Sequence, residues 1–461
     1  MARIGLLPLG RPTFDVPFAE EKLVGMLSAL DATGHEVVGP RTLLFDGAAT
    51  EAAIAALQAA EIDRLLLLQV TFTDASMTVK AADAFDCPLG IWAVPEPRLG
   101  GRLRLNSFCG LNLASHALGL NDRRFGWLYA EPERAGSALE DLLSGARDVT
   151  PLPNTSSAAF THPPADAALN RIRGRRIGRI GAHPDGFETC AYDPVKIEAL
   201  AGISVDEIAL ETLFDSARAV PEAVVAETHR EAADILTGLD GVDAGELDKS
   251  LRLKSALDGL RGQGGYDAFA IRCWPETFTE YGGAVCGPVS MLGEARVPCA
   301  CEADVYGALS QMVLQEVAEA PVFLVDLVDM DAEDDTGVVW HCGQAPISMA
   351  DPDAVASATI HTNRKMPLLF EFPLKPGRVT LMRISQAHGD PKMILAGAEM
   401  LKRPMAFTGT SGVLRFDRPV AEVLPDILDS GLEHHMALAY DEQRDALRAM
   451  AAAMDLPLIE L

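Results

Sequence analysis

Short apolar runs alternate with amphipathic stretches through the first third of the chain. RIGLLPL (3–9), HEVVG (35–39), RLLLLQV (64–70), LGIWAV (89–94) and GWLYAE (126–131) read as buried strands. Between them FAEEKLVGMLSAL (18–30), TEAAIAALQAAE (50–61), LNLASHALGL (111–120) and SALEDLLSG (137–145) carry helical spacing. Buried strands separated by helices predict βαβ units on a parallel sheet, here a first domain over 1–160. Ligands on such sheets gather beyond the strands' C-terminal ends. Polar text stands there: Thr71-Phe72-Thr73-Asp74 after one strand, Pro95-Glu96-Pro97 after another.

PLPNTSSAAFTHPPAD (151–166) reads as a linker. A second α/β pattern over 161–335 follows, with RRIGRIGAH (175–183), SVDEIALET (204–212), DAFAIRCW (267–274), VPCACEAD (297–304) and PVFLVDLVDMD (321–331) as strand segments among helices. From 336 the texture changes to short alternating runs such as TGVVWHCG, GRVTLMRIS, MILAGAEML and VLRFD, broken by Gly, Pro and Asp. That pattern predicts antiparallel strands in a small barrel. The expected fold is α/β: two Rossmann-like doubly wound domains, then a strand-rich, barrel-like domain over 336–461.

A length of 461 residues agrees with two to three domains. The formal charge of −27 repels phosphate backbones and anionic lipid, which argues against nucleic-acid and membrane partners. The N-terminal text reaches Pro and Arg too soon for a signal peptide, and eight scattered Cys suit reduced thiols, so a cytoplasmic protein is expected. Cys299 and Cys301, one residue apart on a strand, point to opposite faces and read as buried small hydrophobes. No GxGxxG or GxxxxGK[ST] loop joins a strand to a helix, which argues against nicotinamide and ATP dependence.

Glu302 stands at the end of an apolar strand, directly before a helix, and Asp326 interrupts PVFLVDLVDM. A carboxylate in such a strand needs a partner, a hydrogen bond or a metal. Two strands of one parallel sheet would bring both over the same edge, a setting for a hard divalent ion such as Mn²⁺ or Mg²⁺. Asp304 serves equally as an N-cap. His434-His435 open an apparent strand, where alternation lets only one join a given site. His341 in VVWHCG is a further donor, and His388 in SQAHGD sits in a turn. Arg272, inside an apolar strand, needs an anionic partner, which is either a structural acid or an anionic group on a substrate.

Four of these segments, in order, resemble the L-fucose isomerase and L-arabinose isomerase superfamily: Cys301-Glu302-Ala303-Asp304, Phe323-Leu324-Val325-Asp326, Val339-Trp340-His341-Cys342 and Glu433-His434-His435. The resemblance implies a metal-dependent aldose–ketose isomerase holding Mn²⁺ (or Mg²⁺ or Co²⁺). Its ligands would be Glu302, Asp326 and His435, with His341 as a fourth ligand or substrate contact. Glu302 and Asp326 would also carry the proton between C1 and C2, through an enediolate. Trp274, Glu276 and Gln344 are candidate sugar contacts. Asn106-Ser107-Phe108 and Asn112 to His116 resemble a helix that reaches a neighbouring subunit's site, which implies a trimer or hexamer with shared active sites. A 6-deoxy sugar or one with an anionic C6 group, such as a sulfo sugar, is the expected substrate. A metal-dependent epimerase or lyase, and a non-catalytic sugar-binding protein, are the competing readings.

Overall fold

A computed structural model describes residues 2–145, 149–160 and 163–461; part of the expected linker and the expected 160/161 boundary therefore lie outside the described residues. The N-terminal sheet is fully parallel, in the order Glu36–Val38, Arg3–Leu9, Arg64–Gln69, Leu89–Ala93, Gly126–Tyr129. Successive leucines serve opposite faces, as strand geometry requires. Leu65 and Leu67 join Ile54, Leu57, Met77 and Phe108 on one side. Leu66 and Leu68 join Leu23, Met26, Leu30 and Leu139 on the other. Aspartates start several helices: Asp15, Asp46, Asp193, Asp243 and Asp304 each accept a backbone N–H of the first turn.

The second sheet has four parallel strands, ordered Ser204–Ile208, Arg176–Ile180, Ala268–Ile271, Cys299–Ala300. Phe323–Asp331 does not continue it. That strand pairs antiparallel with Thr336–His341 and His435–Tyr440, so Asp326 belongs to the third sheet and not to the edge shared with Glu302. The apolar run fixes a doubly buried strand, whereas its partner is chosen by the two-stranded turn at 332–335 that leads straight into Thr336–His341.

Strands Phe323–Asp331, Thr336–His341, Thr410–Phe416, Lys392–Met400, Gly377–Ser385 and His435–Tyr440 close into an antiparallel ring, because Lys392–Met400 pairs with both of its neighbours. The barrel expected from the alternating text is therefore present. Phe323, Val325, Val379, Leu381, Leu414 and Leu438 share one apolar cluster. Alternate residues Leu324, Met382, Ile384, Ala437 and Ala439 pack outside the ring on Tyr306, Leu309, Met312 and Val313 of helix Val305–Ala318. The N-terminal domain docks on the barrel through Asn112 Nδ2 to the Leu432 carbonyl (2.6 Å) and Arg98 Nε to Asp329 (2.5 Å). No helix among the described residues is long and apolar enough to cross a membrane.

Candidate active site

Barrel register builds the first half of the site. Asp326 lies directly opposite His435 on one neighbouring strand and Trp340 on the other, which puts His341 one position away. The second half arrives from the central sheet, where Cys299–Ala300 runs into a turn holding Glu302 at φ +59°. A non-glycine residue in the left-handed region costs on the order of 1 kcal/mol, and such strain collects at functional sites. Asp304 then caps the following helix through the Gly307 N–H at 2.8 Å.

His435 Nε2 stands 3.3 Å from Asp326 Oδ1 and 3.8 Å from Glu302 Oε2. His434 Nε2 is 3.2 Å from the same Glu302 oxygen, while Trp274 Nε1 donates to Glu302 Oε1 at 3.1 Å. Both histidines therefore reach Glu302, against the expectation of one per site. The strand begins only at His435, so alternation does not bind His434, and the two rings stack at 4.0 Å. Behind them Asp304 Oδ2 meets His435 Nδ1 at 2.9 Å, and the carboxylate accepts two bonds from buried Arg383, 2.6 Å at Oδ2 and 3.2 Å at Oδ1. Asp304 is thus both the cap expected and the group that turns His435 Nε2 towards the two site carboxylates. Glu433 lies 3.6 Å from Arg383 Nε.

Burial opposes charge throughout this cluster, and the neighbours decide the outcome. Burial would raise the Glu302 carboxyl, but the hydrogen bond and charge of His434, with His435 behind, hold it at about 2. Burial would lower His341, but the Asp326 charge lifts it to about 9. His435 is lowered by burial and by His434 beside it. Asp304 is held well below the carboxylate range despite burial, by the Arg383 charge and the His435 hydrogen bond.

A divalent ion fits this donor set. Asp326 Oδ1, His341 Nε2 and His435 Nε2 are buried without a hydrogen-bond partner, and donor atoms of these three residues lie within 4.8 Å of one another. Glu302, His434 and His435 form an overlapping trio. Orphaned buried polar atoms are costly, and converging O and N donors repay a shared cation.

Trp274 and Asn106 line the cavity over the cluster, together with Glu302, Asp326 and His341. Arg272 and Glu276 do not: they pair with each other through two 2.7 Å bonds, so the structural acid is the observed partner of Arg272. Gln344 is buried and turned to Cys301 Sγ at 3.3 Å. His116 is fully buried in its own chain, its Nδ1 2.8 Å from the Gly431 carbonyl, and so is not offered to another subunit. His388 holds the Gly119 carbonyl at 3.1 Å, as a turn residue would. The expectation of reduced thiols is corrected at one pair. Cys273 and Cys301 follow neighbouring parallel strands, which sets their Cα atoms 5.8 Å apart, and they form a disulfide in the cavity wall. The other six Cys, Cys299 among them, are free thiols.

Sequence reasoning missed Arg11, His361 and Arg364, which line the same cavity, and Arg383 behind it. Arg11 stands two residues beyond the end of the first strand, so the strand-end rule could have found it. Arg383 sits within GRVTLMRIS and carries the same signal that singled out Arg272. Arg364 and His361 lie in a segment with no periodicity to read.

A strained carboxylate turn, a barrel aspartate and paired histidines thus converge at one cavity. Residues 5–151 match the family model of the fucose/sulfoquinovose isomerase N-terminal domain. The chain is 31% identical over 402 residues to the sulfoquinovose isomerase of Alkalicoccus urumqiensis, covering 87% of this chain and 86% of that protein. It is 29% identical over 453 residues to the sulfoquinovose isomerase of Priestia megaterium, covering 98% and 97%. The chain belongs to the fucose isomerase-like superfamily of aldose–ketose isomerases.

Proposed function

We propose that this chain interconverts sulfoquinovose, a hexose with a sulfonate on C6, and its 2-ketose, using a divalent metal held by Glu302, Asp326, His341 and His435. The observation that carries the reading is the convergence of orphaned buried donors, Asp326 Oδ1, His341 Nε2 and His435 Nε2, beside an ionised Glu302. Mixed O and N donors favour Mn²⁺ or Co²⁺ over Mg²⁺. When bound, the ion supplies Lewis acidity toward the carbonyl and hydroxyl oxygens at C1 and C2. Glu302 and Asp326 move the proton between the two carbons, and His434, hydrogen-bonded to Glu302, exchanges it onward. Trp274 fixes Glu302 from its other oxygen and offers its indole face to the sugar's C–H surface. Assembly into a trimer or hexamer belongs to the same reading, with sedimentation as its check.

The test is NMR-followed conversion of sulfoquinovose by metal-stripped enzyme, resupplied with Mn²⁺, Co²⁺ or Mg²⁺, beside Glu302→Gln. Metal-restored ketose formation, reduced about 10³-fold in the variant, is expected for loss of a general acid–base group. Equal turnover before and after stripping removes the metal from the reading. A 2-epimer without ketose, or carbon–carbon cleavage, reassigns the reaction to the epimerase or lyase alternative.

A further inference from the structure

The cavity that holds Glu302 and Asp326 is also lined by two guanidinium groups, those of Arg11 and Arg364, that no part of the reaction uses. Arg11 Cζ is 5.4 Å and Arg364 Cζ 4.8 Å from the Trp274 ring centroid, so both cations sit by the indole whose Nε1 holds Glu302. Arg11 is already paired with Asp74. Arg364 makes no ion pair and no side-chain hydrogen bond among the described residues; its other neighbour is the Phe278 ring at 5.3 Å. By contrast Arg98, Arg252, Arg378 and Arg383 each have an acid at 2.5–2.6 Å.

A half-buried arginine against aromatic rings, beside a second cation and with no acid in contact, has given up hydration with only the more distant Glu302 charge to offset it. Burial and the Arg11 charge pull its pKa down, which an arriving anion would reverse. The arrangement is also braced. Arg102 donates Nε to Asn363 Oδ1 and NH2 to the Thr13 carbonyl, at 2.9 Å in the second case, tying the segment that carries Arg364 to the one that carries Arg11.

We propose that Arg364, supported by Arg11, is the subsite for the substrate's C6 sulfonate, and that it sets the preference for an anionic over a neutral hexose. The assignment rests on the isomerase reading above, which places C1 and C2 at the Glu302 end of the indole and thereby sends C6 to the arginine end. A guanidinium offers two parallel N–H groups to two oxygens of a sulfonate, a match lysine does not reproduce.

The experiment is calorimetric titration of the metal-loaded wild type, Arg364→Met and Arg364→Lys with sulfoquinovose and with 6-deoxyglucose, the same sugar without the sulfonate. Wild type is expected to bind sulfoquinovose more tightly. Arg364→Met should cut that preference about 100-fold, the range for a lost charge-assisted contact in a desolvated site. Arg364→Lys should fall between, which separates lost recognition from lost folding. Equal binding of the two sugars by wild type, or an unchanged preference in both variants, overturns the subsite. If sulfoquinovose binds in an Arg364-dependent way yet is never converted, the subsite stands and the isomerase reading falls.

Discussion

Replacing Asp304 by Asn tests the buried frame behind the site. Asn is as good an N-cap as Asp, so the Gly307 contact survives and the change isolates charge. The Asp304 side chain is fully buried and that of Arg383 is 2% exposed. Removing one partner from such a pair costs about 3–5 kcal/mol, because the other charge stays buried. Glu433, 3.6 Å from Arg383 Nε, takes up part of that charge and places the expected loss at the lower end, about 3 kcal/mol. The same oxygen that meets Arg383 at 2.6 Å orients His435 at 2.9 Å, so metal affinity should drop about 10-fold or more, as for other orienting carboxylates behind a ligand. Guanidinium unfolding with chelator present isolates the first effect, and Mn²⁺ calorimetry reads the second. Adding Arg383→Met to Asp304→Asn should recover only part of the stability, since the orphan cation is gone but buried Glu433 loses its partner. A loss below about 1 kcal/mol with unaltered Mn²⁺ affinity would refute the frame, since it is the cost of an exposed pair.

Two further outcomes follow from the packing. Burial is the main force lifting Glu96 from 4.5 to about 7, against three backbone N–H donors from Arg104, Leu105 and Asn106. The folded state therefore holds this proton more tightly than the unfolded chain. Its contribution is full below pH 4.5 and is lost as pH rises through about 7, up to about 3 kcal/mol in all. Guanidinium midpoints across that window should fall in wild type relative to Glu96→Gln; parallel profiles would contradict the shift. Gly287 donates to the Leu368 carbonyl at 2.8 Å, and a Cβ there would meet that oxygen at 2.9 Å and Leu368 Cγ at 2.7 Å. Gly287→Ala should cost about 2 kcal/mol by overpacking, measured by thermal unfolding; a change under about 0.5 kcal/mol would mean the loop yields.

What could be read from the sequence follows the physics of single elements. Glu302 and Asp326 stood out because charge in or at the end of an apolar strand demands a partner, and His341 as a further donor; His435 was preferred to His434 only through the family resemblance, and the structure sets both imidazoles beside Glu302. The parallel N-terminal sheet and the C-terminal barrel were legible from period and punctuation. What one strand's text does not carry is its neighbour: Phe323–Asp331 looks alike on a parallel sheet or in a barrel, and only pairing decides. Arg364 was invisible because its meaning depends on Trp274, which is 90 residues earlier in the chain. Cys273 and Cys301 likewise meet only because their strands do.

The closure of the barrel also sets an order of events. His435–Tyr440 slots between Phe323–Asp331 and Gly377–Ser385, and its first residue is the last donor of the cluster along the chain. During synthesis, both carboxylates emerge more than a hundred residues before the imidazole that joins them. Contacts so distant in sequence form late and slowly. Helical signal should therefore return early on refolding, whereas competence at the site waits for one strand to insert, making activity a clock for the final step of folding.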